Sequence, residues 1–243
     1  MKNWTNMLCS LFTAVVLVSC QSSSGEQDSK AKPVPKQEPA RLILMATDDT
    51  GSYRLWDQAK GIACGIIMQL EPGDIFYLRR ITHESYTHQC SIFRLELPRM
   101  KETGSDNPFD RKAKRLRKAF ALHVRALKEK AVNRVRGLKP VGARKTDIFG
   151  FLAFASEKIS LVGQKARPMV IIASDLQDNV HWKPELTLSG ARVFIVGFQV
   201  MKDPQKTQRF KEVWAKRFTE AGATRITYLR ADEKVDLNRL AED

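Results

Sequence analysis

Three short polar segments, far apart in a chain of 243 residues, carry side chains that together could hold a hard divalent cation. They are Asp48-Asp49-Thr50-Gly51-Ser52, Thr146-Asp147 and Ser174-Asp175. Asp48, Thr50 and Ser52 alternate, so one tight turn can aim a carboxylate and two hydroxyls at a common point. Oxygen-only donors of this kind suit Mg²⁺, or Mn²⁺ or Ca²⁺ in its place. The competing reading is that Asp48 and Ser52 only cap the helix that follows and that the other two segments are ordinary loops.

Elements that would position these residues are legible around them. The first and third segments each follow an apolar run, LILMA at 42–46 and MVIIA at 169–173. Such runs, ended by polar turn residues, read as strands buried on both faces of a parallel sheet. Asp48 and Asp175 then stand at carboxyl ends of strands, where open α/β sheets bind ligands. A helix is predicted at 56–70 with Ala59, Ile62, Ala63, Ile66, Ile67 and Leu70 as its apolar stripe. Strands follow at 74–81 and 91–97, joined by the polar stretch 83–89, and a long helix fills 111–136. A helix at 149–162 carries Phe151, Leu152, Phe154, Ala155, Ile159 and Leu161, mostly on one helical stripe. After the strand at 169–173 come a strand at 192–200, a helix at 205–221 with Phe210, Val213, Trp214 and Phe218 inward, and a strand at 224–229. Strands alternating with helices imply a Rossmann-like α/β fold, a mostly parallel central sheet flanked by helices.

Together the segments resemble the metal-ion-dependent adhesion site of the von Willebrand factor type A family. That pattern is D-x-S-x-S after the first strand, a Thr in a later loop and an Asp closing a central strand. Here it reads Asp48-x-Thr50-x-Ser52, then Thr146, then Asp175, and the resemblance covers roughly residues 41–230. Thr50 stands where Ser is usual, keeping the hydroxyl and adding a methyl group. Leu176 follows Asp175 where the family often has Gly. The resemblance implies direct ligation by Thr50 and Ser52, ligation by Thr146 directly or through water, and a mostly water-mediated role for Asp48 and Asp175. It implies a protein partner that fills the open coordination position with an acidic residue. It also implies that the short strand at 91–97 runs antiparallel.

The amino terminus speaks to compartment. Residues 1–19 carry one early charge, Lys2, then an apolar stretch from Met7 to Val18, too short to span a bilayer but suited to a secretory signal. It ends in Leu17-Val18-Ser19-Cys20, which looks like a bacterial lipobox; the likeness implies cleavage before Cys20 and acylation of its thiol. Residues 21–40 hold Val34 as their one large apolar side chain and read as a flexible linker, with a reach of roughly 25 Å. The expected organisation is therefore a signal peptide at 1–19, a lipidated Cys20 and linker at 20–40, and one type A-like domain at 41–243. Such a protein would be anchored on the bacterial cell membrane or outer membrane, facing periplasm or exterior.

Charge is concentrated in one place. Between Arg111 and Lys145 fourteen basic residues face a single acidic one, Glu129, in a chain whose net charge is +14. Leu116, Phe120, Val124, Leu127, Ala131 and Val135 share one side at helical spacing, so Arg111, Arg115, Lys118 and Arg125 face away from the core. A solvated charged face is one reading. The other is contact with an anionic surface, lipid or polysaccharide, with nucleic acid the least fitting partner for a lipid-anchored envelope protein.

Catalytic chemistry is sparse. A Mg²⁺-dependent phosphohydrolase is the main enzymatic alternative, but adjacent Asp48 and Asp49 would point in different directions. A structural lipoprotein with a degenerate site is a further alternative. No Ser-His-Asp or Cys-His motif, phosphate-cradling Gly-rich loop or dinucleotide fingerprint is present, so the chain reads as a binding module and not an enzyme. His83, His88 and Cys90 match no zinc spacing. Cys64 and Cys90 read as buried thiols, though export would permit a disulfide between them.

Overall fold

Strand β1 (Ala40–Asp48) is nine residues long and apolar from Leu42 to Ala46, because both its faces are covered. In chain order there follow α1 (Trp56–Gln69), β2 (Ile75–Ile81), β3 (Ser91–Glu96), α2 (Arg111–Arg136), α3 (Ile148–Val162), β4 (Ala166–Ala173), β5 (Arg192–Val196), α4 (Pro204–Glu220) and β6 (Arg225–Leu229). This computed structural model describes residues 40–51, 53–100, 110–163, 166–180, 182–198, 202–230, 232–233 and 235–238. Ser52, Cys20 with the expected signal and linker up to 39, and residues 199–200 of the expected fifth strand lie outside the described residues.

The six strands form one sheet in the order β3-β2-β1-β4-β5-β6. All neighbours are parallel except β2 and β3, which pair antiparallel with a register shift between Leu78 and Arg79. The short antiparallel strand implied by the type A resemblance is thus present. Strand order reverses between β1 and β4, and in a doubly wound sheet that reversal opens a crevice at the carboxyl ends. Asp48 ends β1, and Ser174 and Asp175 directly follow β4.

Alternation along β1 divides the core in two. Ile43 and Met45 pack with Ala63, Ile66 and Ile67 of α1 and Val132 and Val135 of α2. Leu42, Leu44 and Ala46 pack on the opposite face with Phe151 and Leu152 of α3 and Trp214 and Phe218 of α4. The chain divides into two compact units, Met1–Gln37 and Glu38–Asp243. The first lies outside the described residues, and both core clusters draw only on the second, which therefore carries the hydrophobic core it needs to fold.

Three expectations about burial and one about a strand end are corrected. Leu161 is 72% exposed and Val213 48%. At about 100° per residue, Leu161 sits roughly 200° around α3 from buried Ile159, and Val213 about 100° around α4 from buried Trp214. Leu116 is 49% exposed, and over the first turns of α2 Ala113 is the only fully buried residue before Val124. β5 ends at Val196, where Gly197 takes a positive φ of 68°. Arg111, Arg115, Lys118 and Arg125 are exposed, as the sequence predicts. Cys64 and Cys90 are separate free thiols: the Cys64 sulfur faces the Val132 carbonyl of α2, whereas Cys90 contacts Thr82 and Glu84. Among the described residues no helix is long and apolar enough to cross a membrane.

Candidate metal site

Asp48 ties its own turn to the next strand. Its Oδ1 accepts hydrogen bonds from the Thr50 amide at 3.0 Å and the Thr50 hydroxyl at 2.7 Å, and its Oδ2 accepts from the Ser174 hydroxyl at 2.6 Å. The capping alternative fails for Asp48, since α1 starts after Leu55 with no side-chain capping bond. Asp48 stands at the carboxyl end of β1, as the sequence predicts. It is 1% exposed, because β1 is central and the neighbouring loops close over its end.

Asp175 is buried as well, its Oδ1 accepting from the Gln177 amide at 3.0 Å. Burial raises the pKa of both carboxyls above the usual aspartate range, and the charge of Asp175 pushes Asp48 further in that direction. The Tyr53 phenol is raised too, first by burial and then by these two carboxylates, so it lies within their field. Neither Asp48 nor Asp175 has an ion-pair partner among the described residues. Arg80 is taken by Asp49, whose fully buried side chain also accepts from the Val141 amide at 2.7 Å. Asp49 is therefore committed to Arg80 and the 141–143 loop.

The Thr146 loop is clamped from two sides. The Thr146 amide donates to Asn179 Oδ1 at 2.8 Å, and its carbonyl accepts from the Asn179 amide at 3.1 Å. On the other side the Asp147 amide donates to the Thr82 carbonyl at 2.8 Å, while Asp147 Oδ2 accepts from the Ser85 amide at 2.9 Å. Asp147 Oδ1 accepts from Gly150 N at 2.7 Å, and Asp178 Oδ1 from Ile148 N at 2.8 Å, so two carboxylates cap α3. Burial raises the pKa of both, the hydrogen bonds opposing it. The first loop is braced in turn by residues 141–143, with Ala143 N donating to the Asp49 carbonyl at 2.8 Å and Gly51 N to the Ala143 carbonyl at 3.3 Å.

The first and third segments are joined directly by the Ser174–Asp48 hydrogen bond, and the Thr146 loop is tied to Asn179, four residues beyond Asp175. Of the predicted ligands, Asp48, Thr50, Thr146 and Asp175 are buried, and Ser52 lies outside the described residues. The Thr146 hydroxyl makes no hydrogen bond to any described residue. Two buried carboxylates without a counter-cation, beside neutral hydroxyls, are a donor set that fits a hard divalent ion. Ser174 was legible as part of the third segment but not as the partner of Asp48. Ser85 and Tyr53 carried no local signal, because their roles come from contacts across tens of residues.

Gly150 has no room for a side chain: a Cβ there would stand 2.0 Å from Asp147 Oδ2. Gly150→Ala must displace a carboxylate held by two amides. The expected result is a loss of about 1–2 kcal/mol of stability, the range for a lost helix cap, and weaker cation binding as Thr146 loses its brace. Chemical denaturation and calorimetry with Mn²⁺ check the two effects.

No protein-family model and no curated protein matches the sequence. Several solved structures are similar in fold. One is proximal thread matrix protein 1 from the mussel byssus with a zinc-occupied MIDAS motif (13% identity, TM-score 0.41, 65% of this chain and 38% of that one). Another is a von Willebrand factor type A protein from Catenulispora acidiphila (16% identity, TM-score 0.47, 84% of this chain and 41% of that one). A third is an aerotolerance-related membrane protein from Bacteroides fragilis, solved with multiple mutations to serines (11% identity, TM-score 0.43, 83% of this chain and 94% of that one). The chain spans less than half the length of the mussel and Catenulispora proteins. By its own strand order, antiparallel β3 and flanking helices, the domain has a Rossmann-like, von Willebrand factor type A-like architecture.

Proposed function

We propose that this domain binds a protein partner through a divalent cation, Mg²⁺ foremost, held by Asp48, Thr50, Ser52, Thr146 and Asp175. The observation that carries the reading is the pair of buried carboxylates without an ion-pair partner among the described residues, Asp48, which is bonded to the hydroxyls of Thr50 and Ser174, and Asp175, which directly follows Ser174. The bound ion would supply electrophilic charge at the sheet edge. With few anionic donors from the protein, it keeps affinity for a carboxylate offered from outside. Arg54, Arg144 and Lys145 favour the same partner chemistry. They are exposed beside the first and second loops and form no ion pair among the described residues, so an acidic patch around the ligating residue would be complemented.

The reading is that of a binding module. Asp49, the second acid an aspartate-nucleophile mechanism would require, is occupied by Arg80. We place the domain on the bacterial envelope through acyl chains on Cys20, from the apolar segment ending in Leu17-Val18-Ser19-Cys20. The basic stripe of α2 adds a second, weaker contact with an anionic surface, lipid or polysaccharide.

Immobilised 38–243 should retain a partner from envelope extract in Mg²⁺, release it into chelator, and fail to retain it as Asp48→Asn. Retention that ignores both chelator and substitution sinks the metal-bridged reading. Separately, the full chain expressed in a bacterial host should incorporate labelled palmitate, and Cys20→Ala should abolish incorporation. Unchanged labelling defeats the anchor.

A further inference from the structure

The exposed stripe of α2 is interrupted at one position. Arg111, Arg115, Lys118 and Arg125 follow a spacing of four, three and seven, and the missing step falls on Leu122. At about 100° per residue these five positions share an arc of roughly 80°. Leu122 is 58% exposed, centred among four cationic side chains. Arg125 is tied to Glu129 at 2.7 Å, while no ion pair of Arg111, Arg115 or Lys118 occurs among the described residues.

We infer that this stripe docks on an anionic lipid bilayer, with Leu122 entering the acyl boundary while the surrounding cations hold the headgroups. The inference rests on the anionic-surface reading above and narrows it to one partner. Charge alone would serve a bilayer, a polysaccharide or a nucleic acid equally well. An exposed leucine among the charges distinguishes them. A hydrated polymer gives it nothing to enter, whereas a bilayer interface removes it from water. Basic residues near an anionic leaflet each add attraction that decays within a Debye length. The first turns of α2 suit this role, since Ala113 is their only fully buried residue before Val124 and the stripe is exposed along its length.

The test uses residues 38–243, which contain the complete core, and vesicles of phosphatidylglycerol mixed with phosphatidylcholine. Wild type should partition onto these vesicles at low salt and not onto pure phosphatidylcholine. Leu122→Ser, which changes no charge and no core contact, should lower the partition coefficient about tenfold, roughly the effect of losing one leucine's burial. It should leave binding to soluble dextran sulfate unchanged. Leu122→Trp should retain binding and be quenched by lipid-borne quenchers. Equal vesicle binding by wild type and Leu122→Ser, with dextran sulfate bound as well, overturns insertion and leaves an anionic polymer as the partner of the stripe. Wild type that binds neither vesicles nor dextran sulfate at low salt overturns both the inference and the anionic-surface reading beneath it.

Discussion

Asp48→Asn will lower affinity for Mg²⁺ and Mn²⁺ by at least about a hundredfold, above the effect of removing a group that only orients a ligand. Asn keeps the shape of Asp and an acceptor oxygen for the Thr50 amide and hydroxyl, so the turn need not collapse. It removes one of the two charges that favour the cation, leaving Asp175 alone. It also ends the repulsion between Asp175 and Asp48, two carboxylates buried without a counter-ion. The cation-free variant should therefore be no less stable than wild type, even as binding disappears. Isothermal calorimetry and thermal melts on both proteins measure the two quantities. Wild type that binds neither ion at millimolar concentration would leave the architecture without its proposed chemistry.

Proton linkage gives the same site a direction with pH. The folded-state pKa values of Asp48 and Asp175 are raised above 3.8 by burial, so between 3.8 and those values the folded protein binds more protons than the unfolded chain. Their contribution to stability is fully present below 3.8 and is lost as pH rises through the folded values. A divalent cation restores it by favouring the ionised form. Mg²⁺ or Mn²⁺ should therefore raise Tm little near pH 4 and progressively more toward neutrality. A thermal shift that grows on acidification contradicts this linkage.

At position 176 the usual ranking of alanine over glycine should invert. Leu176 has φ 62°, the only positive value at a non-glycine residue among the described residues, and it directly follows Asp175. That conformation costs an L-residue about 1–2 kcal/mol. Its side chain is fully buried in the core on the α3/α4 face, which offsets the strain. The strain is placed beside the site: Leu176 N donates to the Ser174 hydroxyl at 3.0 Å, and that hydroxyl donates to Asp48. Leu176→Ala should lose about 2–5 kcal/mol, as buried leucines do, while keeping the backbone strain. Leu176→Gly loses the same packing but releases the strain, and should be the more stable of the two by roughly 1 kcal/mol. Denaturant midpoints of the three proteins decide it. Glycine ranking below alanine would mean the positive φ is not maintained in solution.

What the sequence determined by itself was local. The apolar runs at 42–46 and 169–173 read as buried strands because both their faces lie against helices. The period of α2 was legible to its ends, since Asp110 caps it and Gly137 follows it. Motif spacing singled out Asp48, Thr50, Ser52, Thr146 and Asp175 as candidate donors. It could not tell that Leu116, Leu161 and Val213 would face water, because periodicity assigns a face to a helix but not the extent of what lies beneath it. Tertiary structure alone decided how the site is held. Ser174 reaches Asp48 across 126 residues, Ser85 reaches Asp147 across 62 and Asn179 reaches Thr146 across 33. Hydrogen bonds at such separations leave no period or composition in the chain, and that of Ser174 arises only once the sheet brings the ends of β1 and β4 side by side.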